Sequence, residues 1–247
     1  MLLQENERID EVNDKLRLIQ KTDGLTFGTD ALLLAAFAKK PAPRALELGG
    51  GSGIISMLLA ARGRFNKIDC LEIQEEYAEL IGRNARLNGL EETLTPILGD
   101  VRSFPEKTSY GSYDAVFSNP PYMTDTCGAK CQNEAKDIAR HELCGTIADF
   151  ALCASRALKY GGAFYVVYRT ERLADLLCAC RAVKLEPKRL TFVHARRDAE
   201  PSMLLLEARL GGKPSLTVTR PFILSENGKD SDDVTYILNE GIFPTTF

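Results

Sequence analysis

The sequence predicts an α/β fold with a doubly wound, mostly parallel sheet of seven strands, one of which is antiparallel. Three observations support this prediction. Strand-like and helix-like segments alternate from residue 44 onward, which is typical of right-handed βαβ crossovers. A cluster of glycines follows the first strand. The connection between the last two strands is too short to hold a helix.

The elements are predicted in order along the chain. Short runs rich in apolar and β-branched residues predict strands, and apolar residues at helical spacing predict the helices between them. The predicted strands cover 44–49, 67–73, 94–100, 113–120, 162–169, 188–196 and 202–210, and the predicted helices cover 31–38, 52–63, 74–89, 146–160 and 171–183. Only RDAEP joins the last two strands, so these are predicted to pair antiparallel.

The length of 247 residues fits one domain with a large core. We expect a single domain over 1–247, made of an N-terminal helical segment (1–43), a core (44–210) and a C-terminal extension (211–247). An edge strand and a short helix are expected within the extension, and the sequence suggests no function for them.

The composition is that of an ordinary globular chain, with 45% hydrophobic and 26% charged residues. The net charge of −3 indicates no global basic field for nucleic acid, although a local patch is enough to bind it. The start is acidic and polar, unlike a secretory signal, and the longest apolar run, ALLLAAFA, is too short to span a membrane. We therefore expect a cytoplasmic protein with no membrane partner.

Seven cysteines, an odd number, are scattered along the chain, which favours reduced thiols over a disulfide framework. The pairs Cys127/Cys131 and Cys178/Cys180 are the only closely spaced ones, and the chain has two histidines. Most of these cysteines are better explained as small, buried hydrophobic residues than as metal ligands, so no metal is expected.

A glycine turn follows the first predicted strand. ELGGGSG (47–53) places glycines at 49, 51 and 53, where they allow a sharp turn and close approach of a ligand. The dinucleotide fingerprint requires a glycine at 54, which is isoleucine here, and no phosphate-binding G-x-x-x-x-G-K-[ST] motif occurs. The turn therefore suits a cofactor without a pyrophosphate.

Two acidic residues stand at the ends of the next two strands. Glu72 is placed to accept both hydrogen bonds of a ribose diol, and Asp100 to accept from an adenine amino group. Each alone is also consistent with a surface or capping acid. Together with the glycine turn, they indicate an adenosine moiety with free ribose hydroxyls and no phosphates, which points to S-adenosylmethionine.

The motif NPPY (119–122) follows the fourth predicted strand. Its prolines stiffen the turn and push Asn119 away from helical angles, and a strand-terminating turn is the simpler interpretation. The functional one is that the Asn119 side-chain oxygen and the Pro120 carbonyl accept both hydrogens of an exocyclic amine. Tyr122 would stack on the base, a contact worth about 1–3 kcal/mol. Positioning and preorganised hydrogen bonds would then carry the catalysis.

Together, ELGGGSG, Glu72, LGD and NPPY resemble the class I S-adenosylmethionine-dependent methyltransferases that methylate amines. DGLTFGTDALLLAAF (23–37), NPPY and ARHE (139–142) further resemble the bacterial tRNA adenine-N6 methyltransferases that modify the base beside the anticodon. The resemblance covers about residues 15–210 and implies a Rossmann-like sheet. It implies these residues around the cofactor: Glu47, Gly49, Gly51, Gly53, Glu72, Asp100, Val101 and Asn119.

The FGTD segment has two interpretations. Asp30 is predicted to be the N-cap of helix 31–38. In the similar methyltransferases this segment also covers the methionine end of the cofactor, which implies contacts from Phe27, Thr29 and Asp30.

Candidate substrate residues lie in two places. The long segment 123–139 suits a lid, and Arg140 and His141 follow it. Residues 181–197 hold six Lys or Arg against one Glu, and are either a tRNA-binding surface or a solvated helix end and sheet edge. The candidates from this basic stretch are Lys188, Arg189, Arg196 and Arg197.

Other substrates remain open at this point. Glutamine N5 methyltransferases of release factors also use NPPY but carry an additional helical domain, and only 46 residues precede Glu47. Guanine-N2 methylation of ribosomal RNA and adenine-N6 methylation of DNA use similar chemistry, and a nucleotide-binding fold without catalysis is a further alternative. The oligomeric state is not predicted.

Overall fold

A nine-stranded sheet forms the centre of the protein. The structure is a computed structural model that describes residues 3–14, 16–22, 28–38, 40–107, 110–121 and 145–247. The strands are β1 (Glu7–Asn13), β2 (Leu16–Lys21), β3 (Ala42–Leu48), β4 (Phe65–Glu72), β5 (Leu94–Leu98), β6 (Tyr113–Ser118), β7 (Leu158–Arg169), β8 (Leu185–His194), β9 (Pro201–Leu210), β10 (Thr217–Val218), β11 (Phe222–Ile223), β12 (Ser225–Glu226) and β13 (Lys229–Asp230). The α-helices described are α1 (Thr29–Phe37), α2 (Ile54–Ala61), α3 (Glu75–Leu87), α4 (Ile147–Ala157), α5 (Leu173–Ala182) and α6 (Asp232–Glu240).

The strand order is β10-β8-β9-β7-β6-β3-β4-β5, with β11 also paired to β8. From β3 the chain builds outward through β4 to β5, then returns to the other side of β3 to form β6 and β7. The order therefore reverses between β3 and β6. In doubly wound sheets ligands bind at the carboxyl ends of the strands beside this point.

The predicted α/β fold is confirmed. In the seven long strands of the sheet, β9 is antiparallel to both neighbours, β7 and β8, as the short RDAEP connection required. Two short strands, β10 and β11, pair parallel to β8, and of the two only β10 was not predicted. They cover part of the outer edge of β8, which would otherwise expose unpaired backbone groups.

The N-terminal segment differs from the helical segment predicted over 1–43. Its described part begins with the antiparallel hairpin β1–β2, and α1 is its only helix there. The hairpin docks on α3, where the Asn84 side chain pairs with both the N–H and the C=O of Ile19, at 2.7 and 3.1 Å. These contacts join residues 65 positions apart, so local sequence pattern did not reveal them.

The C-terminal extension packs on α1. The Phe243 ring lies 5.3 Å from the Phe37 ring and 5.0 Å from that of Phe222, between centroids. The edge strand and short helix expected here correspond to β11 and α6. Because Phe222, Phe243 and Phe247 belong to the same buried cluster as Leu58 and Phe117, the extension shares the core of the sheet.

No helix in the described ranges is both long and apolar enough to cross a membrane.

Candidate active site

The glycine turn lies at the carboxyl end of β3. Gly49, Gly51 and Gly53 have φ of 72°, 53° and 80°, a region in which a side chain is strained. The N–H groups of Gly49 and Gly50 donate to the Leu71 carbonyl at 2.9 and 3.1 Å, which pins the turn to β4. A Cβ placed on Gly51 would meet no atom within 4 Å, so the backbone here faces open space.

Glu47 lies beneath this turn rather than at the wall of a cavity. Its side chain is 1% exposed, and its carboxylate accepts from the Ser56 N–H at 2.9 Å, from the Ser56 hydroxyl and from the Cys70 thiol at 3.4 Å. Ser56 is in the first turn of α2, so the carboxylate satisfies one of the N–H groups that open a helix. Burial raises the pKa of Glu47 to about 7 and the pKa of Cys70 well above its usual range.

Glu72, the last residue of β4, joins two pieces of backbone. Its Oε2 accepts from the Gly51 N–H at 2.8 Å and its Oε1 from the Gln74 N–H at 2.9 Å. Each carboxylate oxygen has two lone-pair sites, so these bonds fix the side chain and leave acceptor capacity on both oxygens. A diol with two hydroxyl donors matches that arrangement.

Asp100 follows β5 and is held by Arg102. It accepts from the Arg102 N–H at 2.8 Å, and from the guanidinium Nε at 2.8 Å. The Arg102 guanidinium keeps the pKa of Asp100 below its ordinary value. The carboxylate is therefore ionised near neutral pH and acts only as an acceptor. Val101, next in the chain, is 7% exposed.

These side chains surround one cavity at the carboxyl ends of β3, β4, β5 and β6. Among the described residues it is lined by Gly49, Gly51, Leu71, Glu72, Ile73, Gln74, Tyr77, Gly99, Asp100, Val101, Asn119, Pro121 and Phe150. Six predicted cofactor residues thus meet in one place. Gly53 instead begins α2 and faces Ile81, which a Cβ on Gly53 would approach to 3.1 Å.

Asn119 reaches the same cavity from the end of β6. The preceding Ser118 donates from its hydroxyl to the Leu48 carbonyl at 3.0 Å and so ties β6 to β3. Asn119 is half-buried, Pro120 is buried and Pro121 is exposed. The Asn119 side-chain N–H donates to Asp30 at 2.8 Å. Tyr122 lies outside the described residues.

The FGTD segment is only partly described. Helix α1 begins at Thr29 with Gly28 as its N-cap, so Asp30 is the second residue of the helix and not its N-cap. Its carboxylate turns toward Asn119 and accepts from the Ala31 N–H at 2.9 Å. Thr29 is exposed. Phe27 lies outside the described residues.

Arg189 is not available to a substrate. It is 6% exposed and pairs with Glu207 at 3.1 Å, and its guanidinium carbon lies 3.7 Å from the centre of the Phe37 ring. The guanidinium also donates to the Phe37 carbonyl. Since successive residues of a strand face opposite sides of a sheet, Arg189 points into the core beside half-buried Lys188.

The other predicted substrate residues differ in their surroundings. The Lys188 ammonium donates to the Lys213 carbonyl and to Ser215. Arg196 and Arg197 lie in the turn after β8, at the same edge of the sheet as Asn119, and their side chains are 69% and 80% exposed. Arg140, His141 and the segment 123–139 fall outside the described residues.

Seven lining residues were not predicted to belong to the site: Leu71, Ile73, Gln74, Tyr77, Gly99, Pro121 and Phe150. Ile73 and Gln74 directly follow Glu72, and Tyr77 is one helical turn further, so the position of Glu72 was a signal for all three. Phe150 comes from α4, and its ring lies 3.5 Å from where a Cβ of Gly49 would be. No sequence pattern linked it to the turn.

The donor set fits an adenosine-type ligand without phosphates. In the described part of the wall the charged residues are the carboxylates Glu72 and Asp100, and no Lys or Arg lines it. A pyrophosphate would require cations or a run of backbone N–H donors. Here the Gly51 N–H is instead bonded to Glu72.

The strand order, the antiparallel β9 and the cavity at the reversal point define a class of protein, the Rossmann-like methyltransferases. Residues 21–177 match the family model of the methyltransferase small domain. The chain belongs to this family.

Relatives named as tRNA methyltransferases match over most of their length. The chain is 31% identical to the tRNA1(Val) (adenine(37)-N6)-methyltransferase of Phocaeicola vulgatus over 180 residues, which is 72% of this chain and 74% of the relative. It is 31% identical to the enzyme of the same name from Aeromonas hydrophila over 186 residues, covering 74% and 75% of the two chains.

Solved structures share the fold at lower identity. A protein from Agrobacterium tumefaciens described as a predicted O-methyltransferase superposes with a TM-score of 0.72 at 22% identity, covering 87% of this chain and 98% of its own. TYW2 of Pyrococcus horikoshii, in complex with MeSAdo, superposes with a TM-score of 0.58 at 14% identity, covering 85% and 73%.

Proposed function

We propose that this protein transfers a methyl group from S-adenosylmethionine to N6 of an adenine in tRNA, next to the anticodon. One observation carries the proposal: the Asn119 amide lies on the wall of the cavity that also holds Glu72 and Asp100. An amine-holding side chain and a nucleoside-holding carboxylate pair are thereby brought together. The relatives described above, which are named for this reaction on adenine 37 of tRNA1(Val), support the choice of substrate.

Each residue has a place in this proposal. Glu72 accepts from the ribose hydroxyls, Asp100 accepts from the cofactor's adenine amino group, and Val101 with Ile73 contacts the base. Gly49 and Gly51 leave room for the cofactor backbone, and Thr29 and Phe27 cover its methionine end. When bound, S-adenosylmethionine supplies an electrophilic methyl group on a positively charged sulfur.

The chain's own residues prepare the acceptor nitrogen. The exocyclic amine of adenine is a weak nucleophile because its lone pair is delocalised into the ring. The Asn119 oxygen and the Pro120 carbonyl each accept one amine hydrogen, which draws the nitrogen toward tetrahedral geometry and frees its lone pair. This nitrogen would take the methyl group that bound S-adenosylmethionine supplies, the electron pair of the broken C–S bond would stay on sulfur, and one amine proton would leave to water. Tyr122 stacks on the base.

The proposed tRNA contact involves the exposed arginines 196 and 197, which lie at the same edge of the sheet as Asn119. Arg140 and His141 remain proposed contacts as well. We take residues 1–247 to act as one domain in the cytoplasm. The buried cluster that runs from Leu16 to Phe247 supports the single domain.

The test is transfer of label from methyl-labelled S-adenosylmethionine to unmodified tRNA, followed by nucleoside digestion. The proposal requires label in N6-methyladenosine with the wild type, its loss in Asn119→Ala, and wild-type levels in Asn66→Ala, an exposed asparagine on β4. A release factor, ribosomal RNA and DNA are run in parallel. Label in one of these and none in tRNA would overturn the substrate and keep the chemistry.

A further inference from the structure

Asp30 forms a hydrogen-bonded pair with Asn119, which lines the cavity. The Asn119 Nδ2 donates to Asp30 Oδ2 at 2.8 Å, although the two residues are 89 positions apart in sequence. Asp30 comes from the first turn of α1 and Asn119 from the end of β6. Both are half-buried.

The hydrogen bond to Asp30 selects one of the two orientations that the Asn119 amide can adopt. The oxygen accepts hydrogen bonds and the NH₂ group donates them, and a half-turn about the Cβ–Cγ bond exchanges the two. A substrate amine needs the oxygen. Because an ionised carboxylate can only accept, Asp30 holds the NH₂ group toward itself, and the planar amide then directs its oxygen to the other side.

Asp30 is itself held in this position. Its Oδ1 accepts from the Ala31 N–H at 2.9 Å, and a negative charge in the first turn of a helix is stabilised by the helix dipole. A Cβ on Gly28 would lie 2.6 Å from Oδ1 of Asp30. The glycine therefore leaves the space that the carboxylate occupies.

The helix that carries Asp30 is anchored at its other end. The last turn of α1 has no basic residue of its own, and its carbonyls are satisfied from distant parts of the chain. Ala36 accepts from the Phe243 N–H at 3.3 Å, Phe37 from the Arg189 guanidinium and Ala38 from the Arg64 guanidinium at 2.7 Å. These bonds fix the helix along its axis.

We propose that Asp30 is the positioning residue that keeps the Asn119 carbonyl oxygen directed at the substrate amine. This inference rests on the proposed function for the identity of the amine. It requires that Asp30 act through Asn119 and not through the cofactor or through the stability of the fold.

The first test compares Asp30→Ala and Asp30→Asn with the wild type in the tRNA assay. We expect kcat to fall roughly 10- to 100-fold in the alanine variant, since misorienting one preorganised group costs that order, and less in the asparagine variant, which keeps an acceptor. The Kd for S-adenosylhomocysteine should stay at the wild-type value, and the Tm should fall no further than in the Asp232→Ala control, which also loses a first-turn acid. In an Asn119→Ala background the alanine change should have no further effect. Asp232→Ala, in the first turn of α6, is the matched control.

Three results would overturn the inference: an unchanged kcat, a rise in Kd or drop in Tm that parallels the loss of kcat, or an equal loss in the Asn119→Ala background. Gly28→Ala offers a milder variant. Its backbone φ of −113° accepts alanine, and the added methyl group should displace the Asp30 carboxylate and lower kcat several-fold.

A second readout does not depend on activity. The side-chain amide ¹⁵N and ¹H resonances of Asn119, assigned by their loss in Asn119→Ala, should move toward solvent-exposed values in Asp30→Ala and stay unmoved in Asp232→Ala. Unmoved resonances in Asp30→Ala would overturn the inference whatever the substrate. If the wild type methylates no tRNA but the Asn119 resonances still move in Asp30→Ala, the result counts against the proposed function alone.

Discussion

The Glu72 carboxylate accepts a hydrogen bond from the Gly51 N–H at 2.8 Å, so the acid that ends β4 holds the glycine turn after β3. The two residues form one wall of the cavity. The same side chain thus shapes the backbone and presents acceptors to a ligand.

We expect Glu72→Gln to weaken binding of S-adenosylhomocysteine by roughly 10- to 100-fold, because hydrogen bonds to a charged group contribute about 1.5–3 kcal/mol. The glutamine NH₂ group would also face either the Gly51 or the Gln74 N–H, donor against donor. Isothermal titration calorimetry measures the change. Glu75→Gln, an exposed acid at the start of α3, should bind as the wild type does, and equal affinities for both variants would contradict the role given to Glu72.

The stability of the protein should depend on the titration of Glu47. Burial raises its pKa from an ordinary 4.5 to about 7, so between these pH values the folded state binds more protons than the unfolded state. The free energy of unfolding therefore falls as pH rises through this window. A shift of this size corresponds to about 3 kcal/mol.

Glu47→Gln removes this titration. Relative to the wild type, its unfolding free energy should rise by about 2.5 kcal/mol between pH 5 and pH 8, as measured by urea denaturation at several pH values. Glu91→Gln, on an exposed turn, should follow the wild-type pH profile. Parallel profiles for Glu47→Gln and the wild type would show that Glu47 does not titrate in this range.

Gly50 and Gly51 should respond differently to alanine. A Cβ on Gly50 would lie 2.3 Å from the Cys70 sulfur, so Gly50→Ala should lower the unfolding free energy by about 1–3 kcal/mol through overpacking. A Cβ on Gly51 meets open space but requires a φ of 53°, a strain of about 1–2 kcal/mol.

The methyl group added in Gly51→Ala would also enter the cavity. This variant should therefore lose more affinity for S-adenosylhomocysteine than its loss of stability explains. Thermal denaturation with and without the ligand separates the two effects. A Gly51→Ala protein that the ligand stabilises as much as it does the wild type would place the cofactor elsewhere.

Arg189→Met should cost about 3 kcal/mol of stability, because it leaves a buried carboxylate, Glu207, without one of its partners. Arg209, which also bonds Glu207, limits the loss. Lys188→Met, on the opposite face of the same strand, is the matched control and should change stability by less than about 1 kcal/mol. Urea denaturation compares the two.

Unlike Arg189→Met, Arg197→Ala should leave the stability unchanged and should weaken tRNA binding. Loss of one phosphate contact lowers the slope of log K against log salt by about 0.7–0.9, which filter binding at several salt concentrations measures. Arg181→Ala, exposed at the end of α5 and at the opposite edge of the sheet, should keep the wild-type slope. Equal slopes for the wild type and both variants would show that Arg197 makes no phosphate contact with tRNA.

Sequence reasoning located the cavity-lining residues that stand at the ends of strands. Glu72, Asp100 and Asn119 each stand at the end of a readily predicted strand, and parallel strands bring their carboxyl ends to one edge. It failed for Arg189, because a count of basic residues does not show which face of a strand is buried. Phe150 and the β1–β2 hairpin depend on contacts between distant segments, which local periodicity does not encode.

The anchoring of α1 also has a consequence for the order in which the chain is built. The carbonyls of residues 36–38 accept hydrogen bonds from residues 64, 189 and 243, which are synthesised later. At about 5–20 residues per second of synthesis, the helix would be made roughly 10–40 s before the last of them. In a nascent chain the strands around the cavity are therefore made before the last bond that anchors α1, and with it Asp30, can form.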